Sequence, residues 1–188
     1  KMKNILYVLL AMASLSCSKK NEEISPDSMY NVSSKWEKQD GKTITFSDMK
    51  GKVLVTAMIF TSCKTACPRL TAEMRTISQK VGKTNPEDIQ YVLISIDPKN
   101  DTPQVMKAYL DTNKFDEKQW TFIRSNEDDT RELANVMAVK YKEISPIEFS
   151  HSNIISVYSK KGTLAYQKEG LDSGDDDLVK EIKKQIEL

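Results

Sequence analysis

The sequence is poor in the residues that usually build metal sites and redox pairs. It contains one histidine and three cysteines in 188 residues, and no two cysteines stand in a C-x-x-C arrangement. The usual dithiol redox motif is therefore absent. A zinc half-site built on two of the cysteines would need a second pair of ligands elsewhere in the chain.

The sequence also lacks an excess of charge and a long apolar run. It has 28 Lys and Arg against 27 Asp and Glu, which gives a net charge of +1, and the basic residues are scattered. These features exclude a basic nucleic-acid-binding surface. The apolar run from Ile5 to Leu15 is too short to span a bilayer. The length suits one domain plus a tail.

The first residues differ in composition from the rest of the chain. Residues 1–16 have a basic start and a short apolar run, which predicts a signal peptide. The small residues directly before Cys17 favour a lipoprotein-type signal with Cys17 acylated, and the alternative is an ordinary signal peptide cut near Ser16. We expect residues 17–31 to form a lipid-anchored flexible tether and residues 32–188 to form the domain. The predicted location is the bacterial cell envelope, on a membrane, facing the periplasm or the outside.

Two thiols remain if Cys17 carries lipid. They are Cys63 and Cys67, which stand three residues apart in the segment FTSCKTACPRL. Thiols in an envelope compartment tend to oxidise. The pair is therefore expected to be either a structural disulfide or a working site.

Strands alternate with helices along the chain. Continuous apolar runs at residues 53–60 and 91–96 predict strands buried on both faces. The apolar residues of 68–81 recur at helical spacing, and Pro68 suits a first helical position. A hairpin precedes the first buried strand, and another is expected after residue 152. This order predicts an α/β fold with a central mixed β-sheet flanked by helices and an N-terminal β-hairpin.

The cysteines follow directly on the first buried strand. Open α/β sheets place their ligands beyond the carboxyl ends of the strands, so the position itself favours a site. A helix N-terminus close to Cys67 favours thiolate over thiol, and the positive charge of Lys64 acts in the same direction. Two such sulfurs suit Cu(I) binding or dithiol–disulfide exchange.

The single histidine offers a third ligand. His151 stands 84 residues beyond Cys67, in a segment expected to be a loop before a strand. That loop can return beside the cysteines in a sheet of this type. A lone histidine is ordinarily a surface or hydrogen-bonded residue, but two thiolates with an imidazole would make a three-coordinate copper pocket.

Three motifs together resemble a known family. They are FTSCKTACPRL, SIDPKNDTPQVMKAYL and HSNIISVYSKKG, and DGKTITFSDMKGKVLV is similar to the family's entry hairpin. The sequence thus resembles the Sco/SenC copper proteins over residues 33–186. The resemblance implies a thioredoxin-like fold with copper, as Cu(I) or Cu(II), bound by Cys63, Cys67 and His151.

The resemblance also implies a function and a partner. Sco/SenC proteins assist assembly of the binuclear copper centre in cytochrome c oxidase subunit II, either by delivering copper or by reducing the target's cysteines. The expected partner is this subunit or another copper protein, together with a membrane reached through the lipid anchor. We expect no nucleic acid, and nothing in the sequence demands a dimer, so a monomer is expected.

Two acidic residues and one departure from the family pattern bear on the site. Asp97 and Asp101 match the family's acidic loop and are expected to support the ligands or shape the loop, although Asp101 could equally cap a helix. Lys64 stands where many family members have proline. The loss of proline loosens the loop, and the added charge repels a cuprous ion but stabilises thiolates.

The alternative function is enzymatic. An envelope thiol–disulfide oxidoreductase would use Cys63 and Cys67 as a redox disulfide to keep target cysteines reduced. Against this, the spacing is not C-x-x-C, and no proline directly precedes the strand expected at 153–158. A thiol peroxidase is weaker still, because Phe60 and Lys64 occupy its key positions. A copper chaperone is therefore favoured over an enzyme.

Overall fold

One mixed sheet forms the centre of the molecule. The structure is a computed structural model that describes residues 24–145, 148–171 and 174–188. Within them, a seven-stranded sheet has the order β2-β1-β5-β4-β3-β8-β9, and β6 and β7 form a separate two-stranded ribbon. The strands are β1 Trp36–Lys38, β2 Thr43–Ile44, β3 Val53–Ile59, β4 Ile89–Ser95, β5 Trp120–Arg124, β6 Tyr141–Ser145, β7 Glu148–His151, β8 Ile154–Tyr158 and β9 Leu164–Glu169.

The central strands are the continuous apolar runs of the sequence. Every residue of β3 and of β4 is buried, and the two strands are parallel. β5 extends the parallel part beside β4, and the β1–β2 hairpin closes that edge in antiparallel fashion. Strands buried on both faces need apolar side chains on both, which explains the unbroken runs. The predicted mixed sheet with an N-terminal hairpin is confirmed.

The other side of β3 pairs with a strand from late in the chain. β8 runs antiparallel to β3, with Leu54 opposite Tyr158 and Ala57 opposite Ile155. The start of β8 therefore lies beside the end of β3. β9 follows as the outer antiparallel strand.

The helices are α1 Ala66–Val81, α2 Pro103–Thr112, α3 Glu127–Val136 and α4 Asp175–Glu187. The helix predicted over 68–81 begins two residues earlier, so Cys67 lies inside its first turn. The hydroxyl oxygens of Thr71 on α1 and Tyr109 on α2 lie 3.0 Å apart, within hydrogen-bond distance. Glu73 of α1 forms a buried ion pair with Lys168 of β9, which ties this helix to the sheet.

Several methionines and both tryptophans belong to the core. Met74, Met106 and Met137 are buried, as are Trp36 and Trp120. The flexible methionine side chains fill space in the core.

The N-terminal end of the described chain is packed on the domain. Met29 and Tyr30 are buried in a short 3-10 helix, and the backbone N–H of Met29 donates to the carbonyl of Gly162. We expected a flexible tether as far as residue 31, but residues 29–31 are already folded onto the domain. The predicted signal peptide and lipid site at Cys17 lie outside the described residues. Among the described residues, no helix is long and apolar enough to cross a membrane.

The turn at Gly162 provides a test of this packing. Gly162 has a φ of +79°, and a Cβ added there would lie 2.6 Å from the Tyr30 ring. Gly41 has nearly the same φ, +77°, but open space around it. We expect Gly41→Ala to cost about 1 kcal/mol for the left-handed backbone, and Gly162→Ala to cost roughly 2 kcal/mol more for the clash.

Urea unfolding of the two variants measures the difference. Equal losses of unfolding free energy in Gly41→Ala and Gly162→Ala would show that the segment around Tyr30 does not pack on this turn.

Candidate metal and thiol site

The two cysteines occupy a loop and the helix turn that follows it. β3 ends at Ile59, and α1 begins at Ala66. Cys67 is buried in the first turn of α1, and Cys63 is half-buried in the loop. The backbone N–H of Cys67 donates to Sγ of Cys63, with 3.3 Å between the two heavy atoms. Both thiols are free in this structure.

His151 completes a compact group with the cysteines. Its Nε2 lies 3.2 Å from Sγ of Cys67. The ligand atoms of Cys63, Cys67 and His151 all lie within 4.8 Å of one another. In the described part of the chain this is the one cluster of three or more such side chains that is compact enough for a metal ion. The structure thus brings together the three residues that were expected to meet.

The histidine lies on a strand rather than in the expected loop. His151 is the last residue of β7, and it pairs with Tyr141 across the β6–β7 ribbon. The sequence does not predict this ribbon, because its apolar and polar residues alternate too weakly to mark two strands. A two-stranded ribbon is marginally stable by itself, so its position depends on packing against the domain.

Two aromatic contacts supply that packing. The ring of Phe60, directly after β3, lies 5.0 Å from the ring of Phe149 and 6.0 Å from the ring of His151. On β6, the other strand of the ribbon, the centre of the Tyr141 ring lies 5.4 Å from the guanidinium of Arg131, which is part of α3. Phe60 therefore links the cysteine segment to the histidine strand. Its place beside the cysteine motif was the only sequence signal for this role.

The imidazole is oriented for ligation through Nε2. Nδ1 of His151 lies 3.1 Å from the carbonyl oxygen of Ser152. A carbonyl only accepts hydrogen bonds, so Nδ1 carries the proton and donates it. Nε2 is then left with a free lone pair that faces Sγ of Cys67. A partner of this kind is typical of histidines that bind metals.

The two thiols differ in acidity. Partial burial works against ionisation of Cys63, but hydrogen bonds from the backbone N–H groups of Cys67, Thr65 and Ala66 outweigh it and lower its pKa. Burial raises the pKa of Cys67, and the adjacent Cys63 sulfur adds to that effect. The N–H groups at the start of α1 therefore favour the thiolate at Cys63, whereas burial outweighs the effect of the helix N-terminus that was expected to favour a thiolate at Cys67. Burial lowers the pKa of His151, which keeps the imidazole neutral.

Asp101 supports the cysteine segment through hydrogen bonds to Thr61. It is fully buried, and it accepts hydrogen bonds from the backbone N–H and hydroxyl of Thr61 and from the hydroxyl of Ser95. Burial raises its pKa, against those hydrogen bonds. The alternative role as a helix cap is wrong, because Thr102 caps α2 by accepting from the N–H of Val105.

Asp97 plays a more local part. Its carboxylate accepts hydrogen bonds from the side chain of Asn100, and its carbonyl accepts one from the backbone N–H of Asp101. It thus shapes the loop between β4 and α2. Lys64 and Thr65 are exposed at the outer side of the site.

The arrangement permits two kinds of chemistry. Two sulfurs and an imidazole nitrogen within 4.8 Å of one another can converge on one soft metal ion. The same two sulfurs can instead form a disulfide, with Cys63 as the more nucleophilic thiol. The disulfide would remove both sulfur ligands, so the two states exclude each other.

Comparisons with known proteins address the family and the fold. A profile of the SCO1/SenC family matches residues 26–187. A SCO1/SenC family lipoprotein from Bacillus anthracis str. Ames is 26% identical, with a TM-score of 0.73 over 80% of this chain and 91% of that one. BsSco, a member of the Sco family of cytochrome c oxidase assembly proteins with a disulfide switch, is 25% identical, with a TM-score of 0.72 over 82% and 91%.

A third structure bears on the fold. Arabidopsis thaliana ScoI with copper bound is 22% identical, with a TM-score of 0.70 over 81% of this chain and 95% of that one. These similarities confirm the thioredoxin-like fold expected from the sequence.

The unequal acidity of the thiols leads to a prediction. At pH 7 we expect iodoacetamide to modify Cys63 at least ten times faster than Cys67, because the thiolate is the nucleophile and Cys63 is the more exposed. The rate at Cys63 should rise with a midpoint below the ordinary thiol pKa of about 8.5. Peptide mass spectrometry over time measures both rates, and Cys67→Ser and Cys63→Ser isolate each thiol. Faster modification of Cys67 would contradict the assignment.

The support from Asp101 can also be tested. Asp101→Ala leaves the buried N–H of Thr61 without its acceptor, which is expected to cost about 2–3 kcal/mol of unfolding free energy. Asp101→Asn keeps an acceptor oxygen and should cost less. Urea denaturation compares the two variants. Wild-type stability in Asp101→Ala would mean that other contacts position the loop.

Proposed function

Because the chain belongs to the SCO1/SenC family, we propose that it is a membrane-anchored copper metallochaperone. It binds copper through Cys63, Cys67 and His151 and assists assembly of the copper centre in cytochrome c oxidase subunit II. The observation that carries this proposal is the convergence of these three ligand atoms within 4.8 Å of one another.

The ligand set fits copper better than zinc. Thiolates are soft ligands that select Cu(I), and imidazole binds copper as well. A structural zinc site would have four protein ligands, and the compact group in the described residues has three. The lone pair on Nε2 and the lowered pKa of Cys63 suit metal binding, whereas Cys67 would lose its proton when the metal binds.

The position of the site suits a cargo that must leave. Cys63 is half-buried in a loop, and His151 lies at the end of an exposed ribbon, so a partner's ligands can approach from that side. Copper would pass to the partner by stepwise exchange of ligands. Release from Cys67 comes last in this scheme, because it is the buried ligand.

Membrane anchoring is the second part of the proposal. The sequence predicts a lipoprotein signal over residues 1–16 and an acylated Cys17, and a structurally similar protein from Bacillus anthracis is described as a lipoprotein. The anchor would hold the domain in the cell envelope, where subunit II or another copper protein can reach it.

Thiol–disulfide exchange is the second candidate function. The lowered pKa of Cys63 beside a buried Cys67 suits a nucleophilic thiol with a resolving partner. In this role the protein would reduce target cysteines rather than deliver copper. No cis peptide bond occurs in the described residues, and Asn153 precedes β8 where thioredoxin-like reductases have cis-proline. These features favour the chaperone.

Replacement of the histidine separates the two functions. We expect anaerobic titration of the reduced chain to show uptake of one copper equivalent, and His151→Ala to weaken copper binding by more than tenfold through loss of a ligand. The redox potential of the cysteine pair should change little. Lys142→Ala, on the same ribbon, is the matched control and should bind copper normally.

The same variants distinguish the roles in cells. A chaperone role predicts that His151→Ala fails to restore cytochrome c oxidase activity in a strain lacking the protein, whereas Lys142→Ala restores it. Full restoration by His151→Ala would favour the reductase. Unchanged copper affinity in that variant would overturn the three-ligand site.

A further inference from the structure

A group of lysines lies at the end of the sheet opposite the cysteines and the histidine. Lys50, Lys160 and Lys161 line one groove together with Ile24 and Leu188, and we call this surface the basic groove. Among the described residues that line it there is no aspartate or glutamate side chain. The backbone N–H of Gly51 donates to the carbonyl of Lys160, which holds the two lysine-bearing turns side by side.

Two strands define the separation between the groove and the site. β3 begins at Val53, shortly after Lys50, and ends at its seventh residue, Ile59, before the cysteine loop. β8 runs in the reverse direction, from beside His151 to the turn that carries Lys160. Seven strand residues span about 20 Å. The basic groove and the metal site therefore face opposite ends of the molecule.

Apolar side chains accompany the lysines. Ile24 is 41% exposed and Leu188 is 79% exposed, and both line the groove. Leu164, shortly after the same turn, is 52% exposed. Lysines mixed with exposed aliphatic side chains are typical of surfaces that lie at a bilayer interface.

The chain reaches this surface from its N-terminal side. The segment that begins at Ile24 is joined to the lysine turn, because the hydroxyl of Ser28 donates to the carbonyl of Lys161 at 2.7 Å. Ile24 is the seventh residue after Cys17. A chain of that length spans at most about 25 Å. A lipid on Cys17 would therefore keep this end of the domain close to the membrane.

We propose that the basic groove binds the anionic headgroups of the membrane that carries the anchor, and that this contact turns the Cys–His site toward the aqueous side. The proposal rests on the membrane anchoring proposed above. Charge complementarity supplies the attraction, and the short connection to Cys17 supplies the proximity. The Cys–His site would then lie about 20 Å or more from the bilayer surface, on the side where partners approach.

Vesicle flotation combined with lysine labelling tests this orientation. The full chain is mixed with vesicles of phosphatidylcholine alone or with 30% phosphatidylglycerol. The lysines are then acetylated briefly with a water-soluble reagent, and the extent of acetylation at each lysine is measured by mass spectrometry. With phosphatidylglycerol, we expect labelling of Lys50 and Lys161 to fall several-fold, whereas Lys35 and Lys140, at the site end, are labelled equally in both vesicles. High salt should abolish the protection.

Charge variants provide the matched comparison. Lys50→Gln with Lys161→Gln removes two charges from the groove, and Lys35→Gln with Lys140→Gln removes two from the opposite end. Each lysine near an anionic surface contributes about fivefold in affinity. The groove variant should therefore lose the protection of Lys160 in phosphatidylglycerol vesicles, and the other variant should keep it.

The outcomes separate the groove from the anchor. Flotation with both vesicle types and equal labelling of Lys50 and Lys161 in both would overturn the groove and leave the anchor intact. Flotation with phosphatidylglycerol vesicles alone, lost in the groove variant, would support the groove and overturn the anchor. Flotation with neither vesicle type would overturn both.

Discussion

The antiparallel pairing of β3 with β8 is the constraint on which the site depends. The cysteine segment follows the end of β3, and β8 begins three residues after His151, so the pairing places both at one edge of the sheet. Residues 84 positions apart in the chain thereby come to 3.2 Å between Sγ and Nε2. The pairing is stable because every residue of both strands is buried.

Around that edge, the ligands are supported to different degrees. The cysteine segment is fixed by the buried carboxylate of Asp101, which bonds to Thr61, and by the helix that begins at Ala66. The histidine is on an exposed ribbon whose main packing contact is Phe149 against Phe60. A firm pair of sulfurs with a less firmly supported third ligand suits a metal that must be exchanged. The same arrangement leaves Cys63 open to attack by other thiols.

The two ends of β3 also divide the molecule chemically. The metal site lies at one end, and the lysine turns and the entry of the N-terminal segment lie at the other. An anchor and a basic surface at the same end would act together, because a short tether raises the effective concentration of the surface at the membrane. Orientation and copper chemistry would then be separate properties of one small domain.

Local sequence was enough for the central strands, for α1 and for the cysteines. The apolar runs of β3 and β4 marked buried strands, and helical spacing marked α1 to within two residues of its start, since side-chain periodicity is a local property. The motifs also identified Cys63, Cys67 and His151 as residues to be considered together. Local sequence also placed His151 in a loop, whereas the structure has it on a strand.

Only the tertiary structure decided how the site is assembled. The packing of the β6–β7 ribbon, the contact of Phe149 with Phe60 and the hydrogen bonds of Asp101 to Thr61 depend on residues far apart in the chain. The unequal pKa values of the two thiols depend on burial and on which N–H groups point at each sulfur. No periodicity records such contacts, because they exist only once the strands have paired and the ribbon has packed.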